Sequence, residues 1–284
     1  EMLRSLVGSE MCIRDSMNYR LLALDLDGTL LNSRKEITQV TKDAIARIKQ
    51  NGVKVVLSTG RIVGEAVEFA REIDSDDFMV TAGGAAISSV RRERNLFEWD
   101  MPAEIGACVV EQIQIRPIRM MIYVGDKVYI NPYSDHDFVV NYRVEGFHAN
   151  KIVLDDVAAH IREHGLRVTK AYAIGTQETL HEVLEAIRDL PGITITSSGN
   201  DNFEVMPEHV DKGTALVRLG QMLDIRPEEM CAIGDSDNDA QMLRTVGMPV
   251  AMGNAEESVK QLARYITADC DHDGVAQAID HIFR

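Results

Sequence analysis

The chain has 284 residues, of which 45% are hydrophobic and 26% charged, and 45 acidic against 30 basic side chains give a formal net charge of −15. This apolar content supports one or two domains with a sizeable core and argues against a disordered chain. The acidic balance argues against nucleic acid and against membranes as partners, because both bind basic surfaces.

The first sixteen residues (EMLRSLVGSEMCIRDS) differ from the sequence that follows them. They lack the basic start and the continuous apolar centre of a signal peptide. A second methionine, Met17, stands directly before a strongly apolar segment. We therefore interpret residues 1–16 as a non-native or disordered extension, with a short native arm as the alternative.

From residue 19 onward, predicted strands and helices alternate. Residues 20–26 (RLLALDL) form an apolar run that ends in acidic residues and a glycine, which is typical of a buried strand entering a loop. The elements that follow are a helix at 37–51, a strand at 53–57, a helix at 62–73 and a strand at 78–82. This alternation predicts a parallel sheet with right-handed crossovers, an α/β fold with a Rossmann-like core.

The pattern then changes to hairpins mixed with helices. The pair Gly125-Asp126 between two β-rich runs predicts a hairpin with strands at 120–124 and 128–130. Further strands are predicted at 151–154, 168–174, 193–197 and 203–206, and further helices at 157–164 and 177–190. After Pro207 the earlier alternation resumes, with helices at 212–223, 240–246, 258–263 and 275–283 and strands at 230–233 and 249–252. We assign residues 17–88 and 198–284 to the core and residues 89–197 to an inserted α+β cap.

Two acidic clusters follow predicted strands of the core. Residues 25–29 (DLDGT) come directly after the first strand, and residues 234–239 (GDSDND) come after the strand at 230–233. Taken alone, the first could be a surface turn and the second a helix N-cap. In a parallel sheet, however, ligands bind at the carboxyl ends of the strands, so two such clusters predict one shared oxygen-rich site. Carboxylate oxygens are suited to a hard divalent cation such as Mg²⁺.

Four motifs in this order resemble those of the haloacid dehalogenase (HAD) superfamily, and in particular its Cof-type (subclass IIB) sugar phosphatases. They are residues 25–31 (DLDGTLL), 58–61 (STGR), 210–215 (VDKGTA) and 234–239 (GDSDND). The insert between the second and third motifs and residues 252–255 (MGNA) agree with the same group. The resemblance covers residues 17–284.

The resemblance implies a phosphatase that works through an aspartyl-phosphate. Asp25 would be the nucleophile, and Asp27 would first protonate the leaving oxygen and then activate water. Mg²⁺ would be held by Asp25, the backbone carbonyl of Asp27 and Asp235. The other implied roles fall on Asp239 and Asn238, which would complete or orient the metal site, and on Lys212, Thr59 and Gly60, which would bind the phosphoryl oxygens.

Several of these residues also have plain structural interpretations. Lys212 could be a solvated helix lysine, and Thr59 could cap the helix that follows it. Arg61 is expected either to contact the substrate or to pair with an acidic neighbour. His136, His148 and His209 show no ligand spacing, and we interpret them as surface or core residues. In Cof-type proteins an Asn-Gly pair follows the third strand; here Gly83 stands in place of that Asn, so substrate contacts by an amide side chain are missing.

The expected substrate is a small phosphorylated metabolite, with a sugar phosphate preferred. The four cysteines have no C-x-x-C spacing, which favours a reducing cytoplasm over a disulfide framework. A phosphosugar mutase and a non-catalytic sugar-phosphate sensor remain alternatives, and both a monomer and a homodimer are compatible with the sequence.

Overall fold

The computed structural model of the chain describes residues 19–141, 145–197 and 199–283. The predicted extension at residues 1–16 lies outside them. The strands are β1 (Leu21–Leu24), β2 (Lys54–Ser58), β3 (Phe78–Thr81), β4 (Ala86–Ser89), β5 (Arg94–Glu98), β6 (Arg119–Val124), β7 (Lys127–Ile130), β8 (Lys151–Val153), β9 (Lys170–Ile174), β10 (Ile193–Thr196), β11 (Asn202–Pro207), β12 (Met230–Gly234), β13 (Met248–Ala251) and β14 (Tyr265–Ile266).

Helices connect most of these strands. They are α1 (Gln39–Gln50), α2 (Val63–Glu72), α3 (Ala103–Gln114), α4 (Pro132–Asn141), α5 (Glu145–Asn150), α6 (Val157–His164), α7 (Gln177–Ile187), α8 (Lys212–Leu223), α9 (Ala240–Thr245), α10 (Glu257–Lys260) and α11 (Gly274–Ile282). None of these helices is both long enough and apolar enough to cross a membrane.

The described strands form two sheets. The larger has the order β14-β13-β12-β1-β2-β3-β4-β5. Its neighbours from β14 to β3 pair in parallel, and β4 and β5 are added antiparallel at one edge. The predicted α/β class with a Rossmann-like parallel core is confirmed.

The centre of the larger sheet is apolar and buried on both of its faces. All four residues of β1 are fully buried, as expected for a central parallel strand. Helix α1 begins at Thr38, whose side chain accepts a hydrogen bond from the Thr41 backbone, and it buries Ala44, Ile45 and Ile48 against this sheet. The carboxyl edge of the sheet is therefore held by a rigid core.

The smaller sheet has the order β10-β11-β9-β6-β7-β8 and is mostly antiparallel. The predicted hairpin at Gly125-Asp126 is confirmed by the antiparallel pairing of β6 with β7. Helices α3, α6 and α7 cover one face of this sheet through a second apolar cluster. The long helix α3 was not predicted from the sequence.

Sheet membership differs from the prediction at two strands. β5 lies within the predicted cap range, but it pairs with β4 at the edge of the larger sheet. β11 lies within the predicted core range, but it joins the smaller sheet, where Phe203 and Val205 pack in the second apolar cluster. The physical reason is local pairing: each strand forms an antiparallel pair with the strand just before it, β5 with β4 and β11 with β10, and so stays in that strand's sheet.

The two sheets meet across the carboxyl edge of the larger one. A third apolar cluster joins Ile62, Ala82 and Ala85 to Met121, Tyr123 and Phe147. Helix α5 packs on α2 at a contact between Gly64 and Gly146 that leaves no room for a side chain on Gly146. The smaller sheet thus lies over the strand ends that carry the predicted motifs.

Candidate active site

Three predicted motifs lie at the ends of three adjacent parallel strands. β12, β1 and β2 are neighbours, and Asp235, Asp25 and Thr59 follow them directly. Segments that are distant in sequence therefore converge at one edge of the sheet, as ligand sites of this sheet type do.

Lys212 is buried at the centre of this convergence. Its ammonium Nζ lies 2.7 Å from Asp25 Oδ1, 2.6 Å from Asp239 Oδ1 and 3.1 Å from Asn238 Oδ1. The side chain has no exposed surface, so the solvated-lysine interpretation is wrong. Burial disfavours the ammonium, but the two carboxylates outweigh it and raise the pKa of Lys212 above its usual range.

A close approach of two backbones sets the position of Lys212. The lysine opens α8, whose N-cap Asp211 accepts a hydrogen bond from the Thr214 backbone N–H. Gly84, with a φ of 106°, packs against the Asp211 backbone so closely that a side chain there would collide with it. The loop after β3 thereby holds the start of α8 against the strand ends.

Asp239 holds the loop of the fourth motif in place through hydrogen bonds. Its Oδ1 accepts from Lys212, and its Oδ2 accepts from the backbone N–H groups of Asp235 (3.0 Å) and Ser236 (3.2 Å). Both oxygens are therefore engaged. Asn238 Oδ1 accepts from Lys212 and from the Ser236 hydroxyl, so it too holds this loop.

Asp25, Asp235 and Asp239 bring their carboxylate oxygens within 4.8 Å of one another. Burial and the Asp239 charge raise the pKa of Asp25 well above its ordinary value, against the opposing effect of Lys212. Burial and Asp239 likewise raise the pKa of Asp235 to about 6. Three crowded carboxylates share one buried ammonium, and this excess of negative charge and oxygen donors fits a divalent cation.

Asp235 is oriented by two side chains. The Thr29 hydroxyl donates to its Oδ1 at 3.1 Å, and the Asn254 amide donates to its Oδ2 at 3.3 Å and to the Gly28 carbonyl at 2.9 Å. Asn254 belongs to the segment 252–255 that already indicated the family. Thr29 was part of the first motif, but its role was not predicted.

Asp27 is held by two basic side chains. Arg61 binds it through two hydrogen bonds, Nε to Oδ2 at 2.7 Å and Nη2 to Oδ1 at 2.8 Å, and Lys35 Nζ lies 2.9 Å from Oδ1. Burial raises the pKa of this carboxyl, but Arg61 and then Lys35 outweigh burial and lower it to about 2. The pairing of Arg61 with an acidic neighbour is thus observed. Lys35 was not predicted, since a single loop lysine carries no distinguishing pattern.

Thr59 and Gly60 form a turn that faces the same space. Thr59 is almost fully buried, and its hydroxyl accepts from the Arg61 backbone N–H at 3.2 Å. Helix α2 has Ile62 as its N-cap, so Thr59 does not cap that helix. The Gly60 carbonyl accepts from Lys170 Nζ at 2.9 Å, a contact that links the larger sheet to the smaller one.

A cavity of about 830 Å³ opens from these residues toward the smaller sheet. Near the strand ends it is lined by Asp25, Asp27, Thr59 and Asp235. Elsewhere its walls come from α2, β6, β9 and β11. A volume of this size is typical of a site for one small metabolite.

Comparison with known proteins identifies the family. A model of haloacid dehalogenase-like hydrolases matches residues 22–279. A 5-amino-6-(5-phospho-D-ribitylamino)uracil phosphatase of Bacillus subtilis is 31% identical over 94% of this chain and 97% of its own. The chain belongs to the haloacid dehalogenase-like hydrolases. The predicted family and the predicted enzyme class, a phosphatase, are confirmed.

Solved structures agree with this assignment. A haloacid dehalogenase-like hydrolase from Bacteroides thetaiotaomicron is 32% identical, with a TM-score of 0.78 over 93% of this chain and 100% of that chain. A sugar phosphatase described as HAD subclass IIB reaches a TM-score of 0.81 at 23% identity, over 93% of this chain and 99% of its own. The second comparison shows a shared fold.

Gly83 replaces an asparagine expected in this HAD-like chain. Gly83 has a φ of 72°, and a side chain there would begin 2.7 Å from Met206 Sδ. Its backbone N–H donates to the Thr59 carbonyl at 3.0 Å, so it braces the Thr59 turn. Met206 and Glu204 of β11 therefore take the space that the asparagine side chain would need.

The cavity also contains charged residues that the sequence did not single out. Lys170 Nζ lies 2.9 Å from Glu204 Oε2, and both side chains are almost fully buried. The rings of Tyr123 and Tyr172 lie 5.6 and 5.5 Å from the same ammonium. Glu65, on the first turn of α2, is 4% exposed. The sequence did contain a signal for two of these residues, because Lys170 and Glu204 are charged positions inside predicted strands that are otherwise apolar.

The histidines are not part of this site. Among the residues that the structure describes, the one group of potential metal ligands is Asp25, Asp235 and Asp239. His136 and His209 are exposed.

Proposed function

We propose that this chain is a Mg²⁺-dependent phosphatase that hydrolyses small phosphomonoesters, sugar phosphates first among them, through an aspartyl-phosphate on Asp25. One observation carries the proposal: Asp25 is buried beside Lys212 with one carboxylate oxygen left open. Lys212 binds Oδ1, whereas no hydrogen bond from the described residues reaches Oδ2. An oriented, desolvated carboxylate with a free oxygen is the arrangement that nucleophilic attack needs.

Each neighbouring group has a defined part in this reaction. Oδ2 of Asp25 forms the new bond to phosphorus while the bond to the leaving oxygen breaks, and Asp27 gives that oxygen a proton. Asp27 then takes a proton from the water that cleaves the aspartyl-phosphate, so inorganic phosphate is released and Asp25 is regenerated. Lys212, the Thr59 hydroxyl and the Gly60 backbone N–H stabilise the phosphoryl oxygens. Asp25, Asp235 and the Asp27 backbone carbonyl would hold Mg²⁺, and Asp239 would orient these ligands. The Mg²⁺ held there would neutralise phosphate charge.

The state of Asp27 adds a condition to this mechanism. Its lowered pKa leaves it ionised while Arg61 and Lys35 hold it, and an ionised carboxylate cannot protonate a leaving group. A phosphate dianion entering beside Asp25 competes for the same two cations. In this mechanism the entering phosphate draws Arg61 and Lys35 away from Asp27, which removes the two effects that lower its pKa and so favours its protonated form.

Three features support a small phosphorylated metabolite as the substrate. The cavity holds about 830 Å³ and combines aromatic rings with buried charges. A Bacillus subtilis relative is named as a phosphatase of 5-amino-6-(5-phospho-D-ribitylamino)uracil, a small molecule with one phosphate on a ribityl chain. Cys108, Cys231 and Cys270 are free thiols, which is compatible with the cytoplasm, where such metabolites occur. We expect it to work there as a monomer or homodimer.

The deciding experiment compares the wild type with Asp25→Asn on p-nitrophenyl phosphate plus Mg²⁺. Loss of the nucleophile is expected to lower kcat by roughly a thousandfold or more without unfolding the protein. Asp237→Asn is the matched control, since this exposed residue of the same acidic loop undergoes the same chemical change. Near wild-type activity in Asp25→Asn would refute the assignment.

Product analysis separates the alternatives. Release of inorganic phosphate supports a phosphatase, whereas transfer to a second sugar hydroxyl without release would identify a phosphosugar mutase. Binding of sugar phosphates without turnover of any ester would identify a sensor.

A further inference from the structure

Glu65 is a buried carboxylate with no partner in the substrate cavity. It is 4% exposed and lines the cavity, and neither of its oxygens has a hydrogen bond among the described residues. The backbone N–H of Ile62 lies near enough to favour its charged form but is not in hydrogen-bond geometry. A buried polar group without a partner is costly, so its presence in a ligand cavity indicates a ligand that satisfies it.

The cations that line the cavity are already engaged elsewhere. Lys35 and Arg61 both bind Asp27, at the phosphate end. Lys170 donates to the Gly60 carbonyl and pairs with Glu204. Among the described residues that line the cavity, therefore, every cation already has a partner, and none remains to bind a second anionic group on the substrate. Glu65, in contrast, still lacks a hydrogen-bond donor.

We propose that Glu65 selects the leaving group: this part of the cavity takes a phosphate ester whose leaving group carries hydroxyl or amine donors and no second anionic group. The inference rests on the proposed phosphatase function and names its substrate class. Hydroxyl or ammonium groups donate to the Glu65 carboxylate, whereas a carboxylate or a second phosphate is repelled by it. A substrate without such donors would leave the buried charge of Glu65 unpaired, and the high free-energy cost of that unpaired charge produces the selection.

The test uses two substrates that differ at one group. Sorbitol 6-phosphate and 6-phosphogluconate share a six-carbon chain, but the terminal CH₂OH of the first is a carboxylate in the second. At pH 8 the wild type is expected to favour sorbitol 6-phosphate in kcat/KM by about tenfold or more. In Glu65→Gln the charge is removed and the shape is kept, so this ratio should fall about tenfold.

Glu68→Gln provides the matched control. Glu68 lies one turn further along α2 and also lines the cavity, but it is exposed, so the same loss of charge there is screened by water. Its ratio should stay within about twofold of the wild type. An equal effect of both variants would assign the preference to long-range charge and overturn the role of Glu65.

Thermal unfolding of each variant completes the design. If Glu65 only stabilises the start of α2, Glu65→Gln changes the unfolding temperature and leaves the substrate ratio unchanged, which overturns the inference. A wild type that hydrolyses p-nitrophenyl phosphate but does not prefer sorbitol 6-phosphate overturns it as well. A wild type that hydrolyses no ester refutes the proposed function itself.

Discussion

The same buried carboxylate makes the stability of the free protein depend on pH. Burial raises the pKa of Glu65 from 4.5 to about 7, against the opposing charges of Arg61 and Lys170, and Asp27 adds a smaller upward effect. The folded state therefore holds this proton more tightly than the unfolded chain does. As the pH rises from 4.5 to 7, the free energy of unfolding contributed by this group falls, and the loss is complete above pH 7.

The magnitude follows from the size of the pKa shift. A shift from 4.5 to about 7 corresponds to about 3 kcal/mol, at 1.36 kcal/mol per pH unit. Glutamine cannot ionise, so Glu65→Gln removes this penalty. The variant should match the wild type near pH 4.5 and exceed its stability by about 3 kcal/mol at pH 8. At roughly 2 °C per kcal/mol or more, this raises the unfolding temperature by about 6 °C.

The assay is thermal unfolding of both proteins, without substrate or Mg²⁺, at several values between pH 5 and pH 8. The difference between variant and wild type is the informative quantity, because all other titrating groups cancel. Glu68→Gln removes one negative charge from an exposed position of the same helix and is the control for general charge effects. A constant difference between Glu65→Gln and wild type across the whole range would refute the reasoning, because it would place the ionisation of Glu65 outside this window.

Three further variants test the contacts around the site. Lys212→Met leaves Asp25 and Asp239 buried without their ammonium, and we expect a loss of about 3–5 kcal/mol in unfolding free energy, partly recovered by Mg²⁺. Gly146→Ala forces α5 away from the Gly64 carbonyl, so it should raise KM and lower the unfolding temperature. Gly64→Ala should do less, because its new methyl group meets the movable Asn150 amide at 2.9 Å. Equal effects of Gly146→Ala and Gly64→Ala would contradict the packing argument. The argument for Lys212 would be contradicted if Mg²⁺ stabilised Lys212→Met no more than it stabilises the wild type.

The convergence of residues around Asp25 was predictable because these residues follow strands of one parallel sheet. Once the runs at 20–26 and 230–233 are identified as buried strands, Asp25 and Asp235 must lie at the same edge. The partners of these residues were less predictable. Lys35 lies in an irregular loop where no periodicity applies, and it reaches Asp27 only because of the local path of that loop.

The other part of the cavity depends on contacts that no local pattern encodes. Lys170 meets the Gly60 carbonyl across a sequence separation of 110 residues, and this contact exists only because the smaller sheet packs over the larger one. The assignment of β11 to the smaller sheet decides where Glu204 points. The boundary drawn at residue 198 placed that strand in the core, so the Lys170–Glu204 pair could not be predicted.

The separation of the two ends has a chemical consequence. In the proposed mechanism, Lys212 and the carboxylates around Asp25 handle the phosphoryl group, which is common to all candidate substrates. Glu65, Lys170 and Glu204 lie where the larger and smaller sheets meet, so they can change without disturbing the nucleophile. The uncompensated charge in the region where the two sheets meet is negative. The whole chain already carries a net charge of −15. On this proposal, a substrate with one phosphate and many donors would satisfy both ends at once, because the phosphate would meet the cations and the donors would meet Glu65.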